Sequence, residues 1–178
     1  MAAGMSPQDI EELLHELARR LNARGDAATI RVVGGAALAA RNYRTSATFD
    51  IDAVFQPEGP VLDVAAEIAA ERNLPPNWLN SDAKAYIPFV APNHWLKLFR
   101  DGDVTVSTAP AKMLLAMKLK ANRGRRDAED IERLLTICRI RNVEQAQQLY
   151  EKYHPQELLS ETVIARIEAY LARQQTGH

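Results

Sequence analysis

Residues Thr29–Phe55, TIRVVGGAALAARNYRTSATFDIDAVF, decide how this chain is read. Ile30 to Val33 is an apolar, β-branched run that predicts a strand, and it stops at Gly34-Gly35. The alanine-rich residues after the glycines predict a short helix, and a second apolar run then carries Asp50 and Asp52. Residues two apart in a strand share a face. The two carboxylates are therefore expected side by side, with Phe49, Ile51 and Ala53 forming one buried face opposite them. Like charges that close repel unless a cation lies between them, and the neighbouring sequence fixes no such cation in place. A divalent metal is the economical partner. Mg2+ (or Mn2+) suits the pair, because Mg2+ takes one or two carboxylates and completes its shell with water and phosphate oxygens. A Gly-Gly turn entering a helix N-terminus also offers bare backbone N–H groups to a phosphate. These features point to metal-assisted chemistry on a nucleotide.

The glycine pair is not a P-loop, which needs a lysine and a hydroxyl after its last glycine, nor a dinucleotide fingerprint with a third glycine. Upstream, Ser6-Pro7 followed by Asp9, Glu11 and Glu12 predicts a capped helix start. Ile10, Leu13, Leu14, Leu17 and Leu21 give that helix one buried face as far as Gly25. Downstream, Gln56 to Pro60 reads as a break and Val61 to Arg72 as an amphipathic helix. Trp78 to Pro92 reads as loop with a short helix. Trp95–Phe99 and Val104–Ser107, joined through Arg-Asp-Gly-Asp, read as a hairpin. Helices are then expected from Pro110 to a break at Asn122-Arg123-Gly124, from about Arg126 to Ile137, over Val143–Tyr153 and over Ser160–Arg173. The fold class is α/β (α+β): a small mixed sheet flanked by helices over residues 1–109, and a helical C-terminal part over 110–178.

Composition sets the limits. The 178 residues carry a formal net charge of −1, which excludes a polybasic binder as a whole but not a local basic patch. The one cysteine, Cys138, cannot pair within the chain, and its neighbours LLTICRI suggest a small buried residue on an apolar helix face. No signal pattern and no membrane-length apolar run occurs, so a cytoplasmic protein without membrane contact is expected. His15, His94, His154 and His178 show no ligand spacing and are expected to be structural. Trp78, Trp95 and Tyr86 are expected to pack in the core rather than stack on a base.

A strand ending in Gly-Gly, a short helix, a segment with Arg and Thr, and then Asp-Ile-Asp resembles the nucleotidyltransferase superfold of the polymerase-beta type. The later block Ala109-Pro110, Leu114-Leu115-Ala116-Met117-Lys118, Arg123, Arg126-Asp127, Asp130-Ile131, Leu134-Leu135 is similar to the AbiEii- and MenT-like toxin nucleotidyltransferases. The closest resemblance is to the compact DUF6036 branch of that group. It covers roughly Ile30 to Ile137.

The resemblance implies that Gly34 and Gly35 hold the triphosphate of an NTP and that Asp50 and Asp52 bind the metal and are catalytic. It implies that Lys118 contacts phosphate and takes part in catalysis, that Arg126, Asp127 and Asp130 form an Arg-Asp motif with Arg126 binding the nucleotide, and that Arg44 and Thr48, in the lead-in to the acids, bind the nucleotide as well. Arg44 stands one place further from the acids than in the relatives. Polymerase-type enzymes usually carry a third carboxylate on a later strand; here Val104–Ser107 has threonine and serine instead. Asp127 from the following helix is the favoured substitute as base, ahead of Asp103 in the hairpin turn. The implied activity is nucleotide transfer from an NTP to an acceptor hydroxyl, in a toxin with a cognate antitoxin, the acceptor being RNA (a tRNA) or a protein. A nucleotide-binding or regulatory module of the same fold without turnover is the alternative. Lys118, Lys120, Arg123, Arg125, Arg126, Arg139 and Arg141 form a basic cluster that is read either as a solvated face or as a contact for an anionic acceptor.

Overall fold

The computed structural model describes residues 4–44, 46–88 and 94–176. Its elements form two compact units. One takes residues 4–85 and 94–109, and the other takes 86–88 and 110–176.

The first unit begins with α1 (Pro7–Arg24). Ser6 Oγ accepts from the Asp9 N–H, and the Asp9 carboxylate accepts in return from the Ser6 N–H at 2.7 Å, a reciprocal capping box. The chain leaves α1 at Gly25, whose φ of 78° is the left-handed turn that ends a helix. The strands are β1 (Ala28–Val32), β2 (Ile51–Gln56), β3 (Leu79–Asn80), β4 (Leu96–Asp101) and β5 (Val104–Thr108). They lie in the order β3-β2-β1-β5-β4. β1 pairs antiparallel with β2 and parallel with β5; β2 and β3 are parallel, and β4 and β5 form the expected antiparallel hairpin. The sheet is therefore mixed. Alternation sets its faces: Ala28, Ile30 and Val32 on β1 and Ile51, Ala53 and Phe55 on β2 are buried, and Thr29 and Arg31 are exposed. α1, α2 (Gly34–Ala40) and α3 (Glu58–Arg72) pack on the strands. Ion pairs of Arg20 with Glu71, Arg24 with Glu67 and Arg72 with Glu16 tie α1 to α3.

Several sequence expectations change here. Phe49 is 68% exposed; it lies in a bend before β2, so the buried face of that strand is Ile51, Ala53 and Phe55. Asp50 also precedes the strand, and Asp52 lies within it. Gln56 to Pro60 does not break the chain: α3 starts at Glu58, since a proline in the first helical turn has no intrahelical N–H to lose. The segment from Trp78 holds β3 and a 3-10 turn over Asp82–Tyr86, and the part over 89–92 lies outside the described residues. Trp78 is fully buried and donates its indole N–H to the Ala65 carbonyl at 2.9 Å, as a core residue does.

The second unit is helical: α4 (Ala111–Ala121), α5 (Arg125–Ile137), α6 (Val143–Tyr153) and α7 (Glu161–Thr176). α5 packs on α4, α6 on α4, and α7 on α6. Leu114, Leu115, Ile131, Leu134, Leu135, Ala146, Val163 and Ile167 fill its core. Cys138 is not on an apolar helix face; it caps the C-terminus of α5 and is half-buried. No described helix is long and apolar enough to cross a membrane.

Candidate active site

The sheet unit gathers the predicted motif at one end of β1. After Val32 the chain turns at Gly34, whose φ of 63° is a conformation that suits glycine, and enters α2. The bend lies against the acidic strand. A methyl group added at Gly34 would stand 2.9 Å from Asp52 Oδ2. One added at Gly35 would stand 2.9 Å from the Arg44 guanidinium and 3.1 Å from Thr48 Oγ1. The two 2.9 Å distances are shorter than carbon-to-heteroatom contacts allow and the third is tight, so the absent side chains let Asp52, Arg44 and Thr48 approach the bend. The Val33 N–H donates to the Asp52 carbonyl at 2.9 Å and fixes the two strands at this level.

Thr48 is buried, and its hydroxyl donates to the Asp50 carbonyl at 3.2 Å. Met5 and Thr48 exchange main-chain hydrogen bonds, so the residues ahead of α1 clip the loop that carries Thr48. This clip was not legible along the chain, because a two-residue bridge has no periodicity. Arg44 is not loose either: its Nε donates to Ser46 Oγ at 2.7 Å and its Nη2 to the Ala47 carbonyl at 3.3 Å. On the other side Asp52 is in register with Asn80 of β3, and the Ile51 N–H donates to the Trp78 carbonyl at 2.6 Å. Ile51 is fully buried between the two acids, which are both half-buried. Gly34, Gly35, Arg44, Thr48 and Asp52 thus meet directly, and Asp50 joins them through its main chain.

Asp103 cannot complete this site. The Ala28 N–H donates to its carbonyl, which places it level with the start of β1, while Asp52 is level with Val33. Five residues of strand, at about 3.3 Å each, put roughly 16 Å between the two levels. Its carboxylate is exposed and pairs with Arg100 at 3.4 Å. On β5, Ser107 is the residue in register with Arg31. Among the described residues no group of three or more His, Cys, Asp or Glu side chains could hold a metal ion. The half-buried Asp52 carboxylate against the glycine bend is a hard oxygen donor that fits Mg2+, which ordinarily brings water and substrate phosphate oxygens as its other ligands.

The other predicted residues belong to the helical unit. Lys118 is buried, and its Nζ lies 2.7 Å from Asp127 Oδ1 and 2.8 Å from Asp130 Oδ2. Asp127 has no exposure and also accepts from the Arg123 main-chain N–H at 2.9 Å and from Arg123 Nε at 3.1 Å. Burial pushes its pKa up, but the hydrogen bond and charge of Lys118, aided by Arg123, outweigh that and hold the carboxyl at about 2. A carboxylate so enclosed and so weakly basic is a poor proton acceptor at neutral pH. Arg126, by contrast, is exposed. Asp127 and Asp130 lie three apart on the buried stripe of α5, with Ile131, Leu134 and Leu135. That spacing was the available sign that this Arg-Asp motif packs inward.

The mixed sheet, with its glycine bend seated against an aspartate, points to the nucleotidyltransferase class. The chain belongs to the family described as "Nucleotidyltransferase of unknown function (DUF6036)", which it matches over residues 8–170. No curated protein and no solved structure matches it.

Proposed function

We propose that the chain is a metal-dependent nucleotidyltransferase that moves a nucleotide from an NTP to an acceptor hydroxyl and releases pyrophosphate. The observation that carries this reading is the contact between the Gly34 bend and the Asp52 carboxylate. N–H groups that would bind phosphate in this reading stand next to the acid that would hold the cation. In this reading the backbone N–H groups of the Gly34-Gly35 turn bind the β- and γ-phosphates. Asp50 and Asp52 hold Mg2+, which when bound supplies charge to the transferring phosphoryl group. Thr48 orients Asp50 by gripping its carbonyl. Arg44, bridged to the loop main chain, orders the segment between α2 and β2.

Lys118, Asp127 and Asp130 take a different part from the one the family resemblance implies. The Lys118 ammonium is occupied by two buried carboxylates, so we assign it to locking α4 onto α5 rather than to a phosphate, and we do not assign Asp127 as the base. A role of the exposed Arg126 toward the nucleotide rests on the family resemblance. The toxin setting, with a cognate antitoxin and an RNA or protein acceptor, rests on the resemblance alone.

The test is incubation with Mg2+ and α-labelled NTPs, with label transfer and pyrophosphate release as readouts. Asp50→Asn and Asp52→Asn should each abolish both while leaving the circular dichroism spectrum unchanged. Transfer that survives Asp52→Asn would refute the reading. A second reading, a nucleotide-binding module without turnover, is favoured by the absence of a three-carboxylate group among the described residues. It predicts Mg2+-dependent NTP binding, lost in Asp52→Asn, with no product from the parent chain.

A further inference from the structure

The helical unit holds a cavity of about 510 Å3, the size of a small-ligand site. Leu149 and Tyr153, both buried, supply apolar walls, and Lys112, Arg139 and Lys152, all exposed, bring three positive charges to it. Two glutamine amides line it as well, and no carboxylate does. Elsewhere in the unit Lys118, Lys120, Arg123 and Arg173 are each in ion pairs. None of Lys112, Arg139 and Lys152 forms one among the described residues.

The backbone at Arg139 adds a second, independent observation. α5 ends with Arg139 at a φ of 57°. The Arg139 N–H donates to the Thr136 carbonyl at 3.0 Å and the Ile140 N–H to the Leu135 carbonyl at 2.9 Å. This is the Schellman geometry, whose left-handed position is usually glycine. An arginine there is strained, and among the described residues its guanidinium makes no hydrogen bond or ion pair that would offset the strain. A long cation kept at a glycine position, on the rim of a cavity with unpaired charges and no acid, points to a ligand.

We propose that this cavity binds a phosphate-bearing nucleotide, with Lys112, Arg139 and Lys152 on the phosphate and the Tyr153–Leu149 wall against the nucleoside. The site lies wholly within the helical unit and does not depend on the transfer reading. The same chemistry is offered by a free mononucleotide and by the phosphorylated end of an RNA strand.

Cys138 provides the readout, because it lines the cavity and is the chain's one cysteine. Burial pushes its thiol up to about 11 with Lys112 pulling the other way, so it reacts slowly and its rate follows its surroundings. The full-length protein would be titrated with a thiol-reactive reagent in the presence of AMP, or of a 5′-phosphorylated oligoribonucleotide, against the 5′-hydroxyl oligonucleotide. The expected result is a slowed Cys138 reaction with AMP or with the phosphorylated strand, and a smaller effect without the phosphate. Protection by AMP assigns a free nucleotide; protection by the strand alone assigns RNA. Arg139→Gly should weaken binding by roughly tenfold, the loss of one charge-assisted hydrogen bond, and should raise the melting temperature because glycine relieves the left-handed strain. Lys152→Gln should weaken binding without that gain. Asp52→Asn should leave the protection unchanged, which separates this site from the failure or success of nucleotide transfer. No protection by either probe, or full protection retained in both Arg139→Gly and Lys152→Gln, would overturn the proposal.

Discussion

Replacing Lys118 with methionine asks which of two jobs the lysine does. Its ammonium bridges Asp127 and Asp130 at 2.7 and 2.8 Å, and the side chains of all three are less than a tenth exposed. Methionine keeps the aliphatic stem and removes the charge, so two carboxylates remain buried with only Arg123 to compensate Asp127. Breaking a buried pair from one side costs about 3 to 5 kcal/mol. Against the roughly 5 to 15 kcal/mol of an ordinary domain, that brings the helical unit close to unfolding. The pH dependence gives a second handle. Asp127 falls from 3.8 to about 2 on folding, and each tenfold is about 1.4 kcal/mol, so its ionisation contributes roughly 2 kcal/mol. Because the folded value is the lower one, this contribution is complete above about pH 4 and is lost as pH falls toward 2. Part of it comes from Arg123 and survives the substitution. Urea unfolding followed by far-UV circular dichroism at neutral pH should therefore show Lys118→Met weaker by several kcal/mol, and the gap to the parent should narrow in acid. A variant within about 1 kcal/mol of the parent that had lost NTP affinity would refute the packing assignment. Lys118 would then be the phosphate ligand that the family resemblance implies.

Three further substitutions probe the sheet unit and the C-terminal helices. Gly34→Ala meets a left-handed φ, at a cost of about 1 to 2 kcal/mol, and the added methyl collides with Asp52 Oδ2, so both thermal stability and NTP binding should fall. Gly59→Ala, in α3 with nothing within 4 Å of the added carbon, is the control and should be neutral or slightly stabilising. His154 is buried against Tyr150, and burial, with Lys120 nearby, lowers its pKa below 6.5 despite the opposing charge of Glu157. The folded state thus binds fewer protons, and the stability His154 allows is complete above pH 6.5 and declines as pH falls through its folded value. His154→Gln should flatten that part of the melting-temperature profile, and an unchanged slope would count against it.

Much of this molecule was legible along the chain, and the reason is local chemistry. The Ser6-Pro7 start and the leucine periodicity of α1, the Asp-Gly hairpin turn and the glycine bend each depend on residues within a few positions of one another. Capping, alternation and backbone freedom suffice to specify them. The mixed sheet with a helical C-terminal part followed from the order of such segments. The two-residue strand β3 was not legible, because it exists only by pairing with β2, and neither was the bend that exposes Phe49 and moves Asp50 ahead of the strand. Alternation alone does not say where a strand begins; the pairing partner does.

The sequence by itself determined that two glycines, an arginine, a threonine and two aspartates would lie in one strand–helix–strand segment. Only the tertiary structure decided which of them touch: Asp52 is pressed against Gly34, and Arg44 and Thr48 against Gly35, because β1 and β2 are hydrogen-bonded at that level. It also separated residues that the sequence had grouped. Asp103 went to the far end of the sheet with the direction of β5, and Lys118 went inside, where two carboxylates nine and twelve residues later close on it. A side chain's type is written in the chain, but whether a charge meets solvent, ligand or an opposite charge depends on burial. Burial is set by every element packed around it at once.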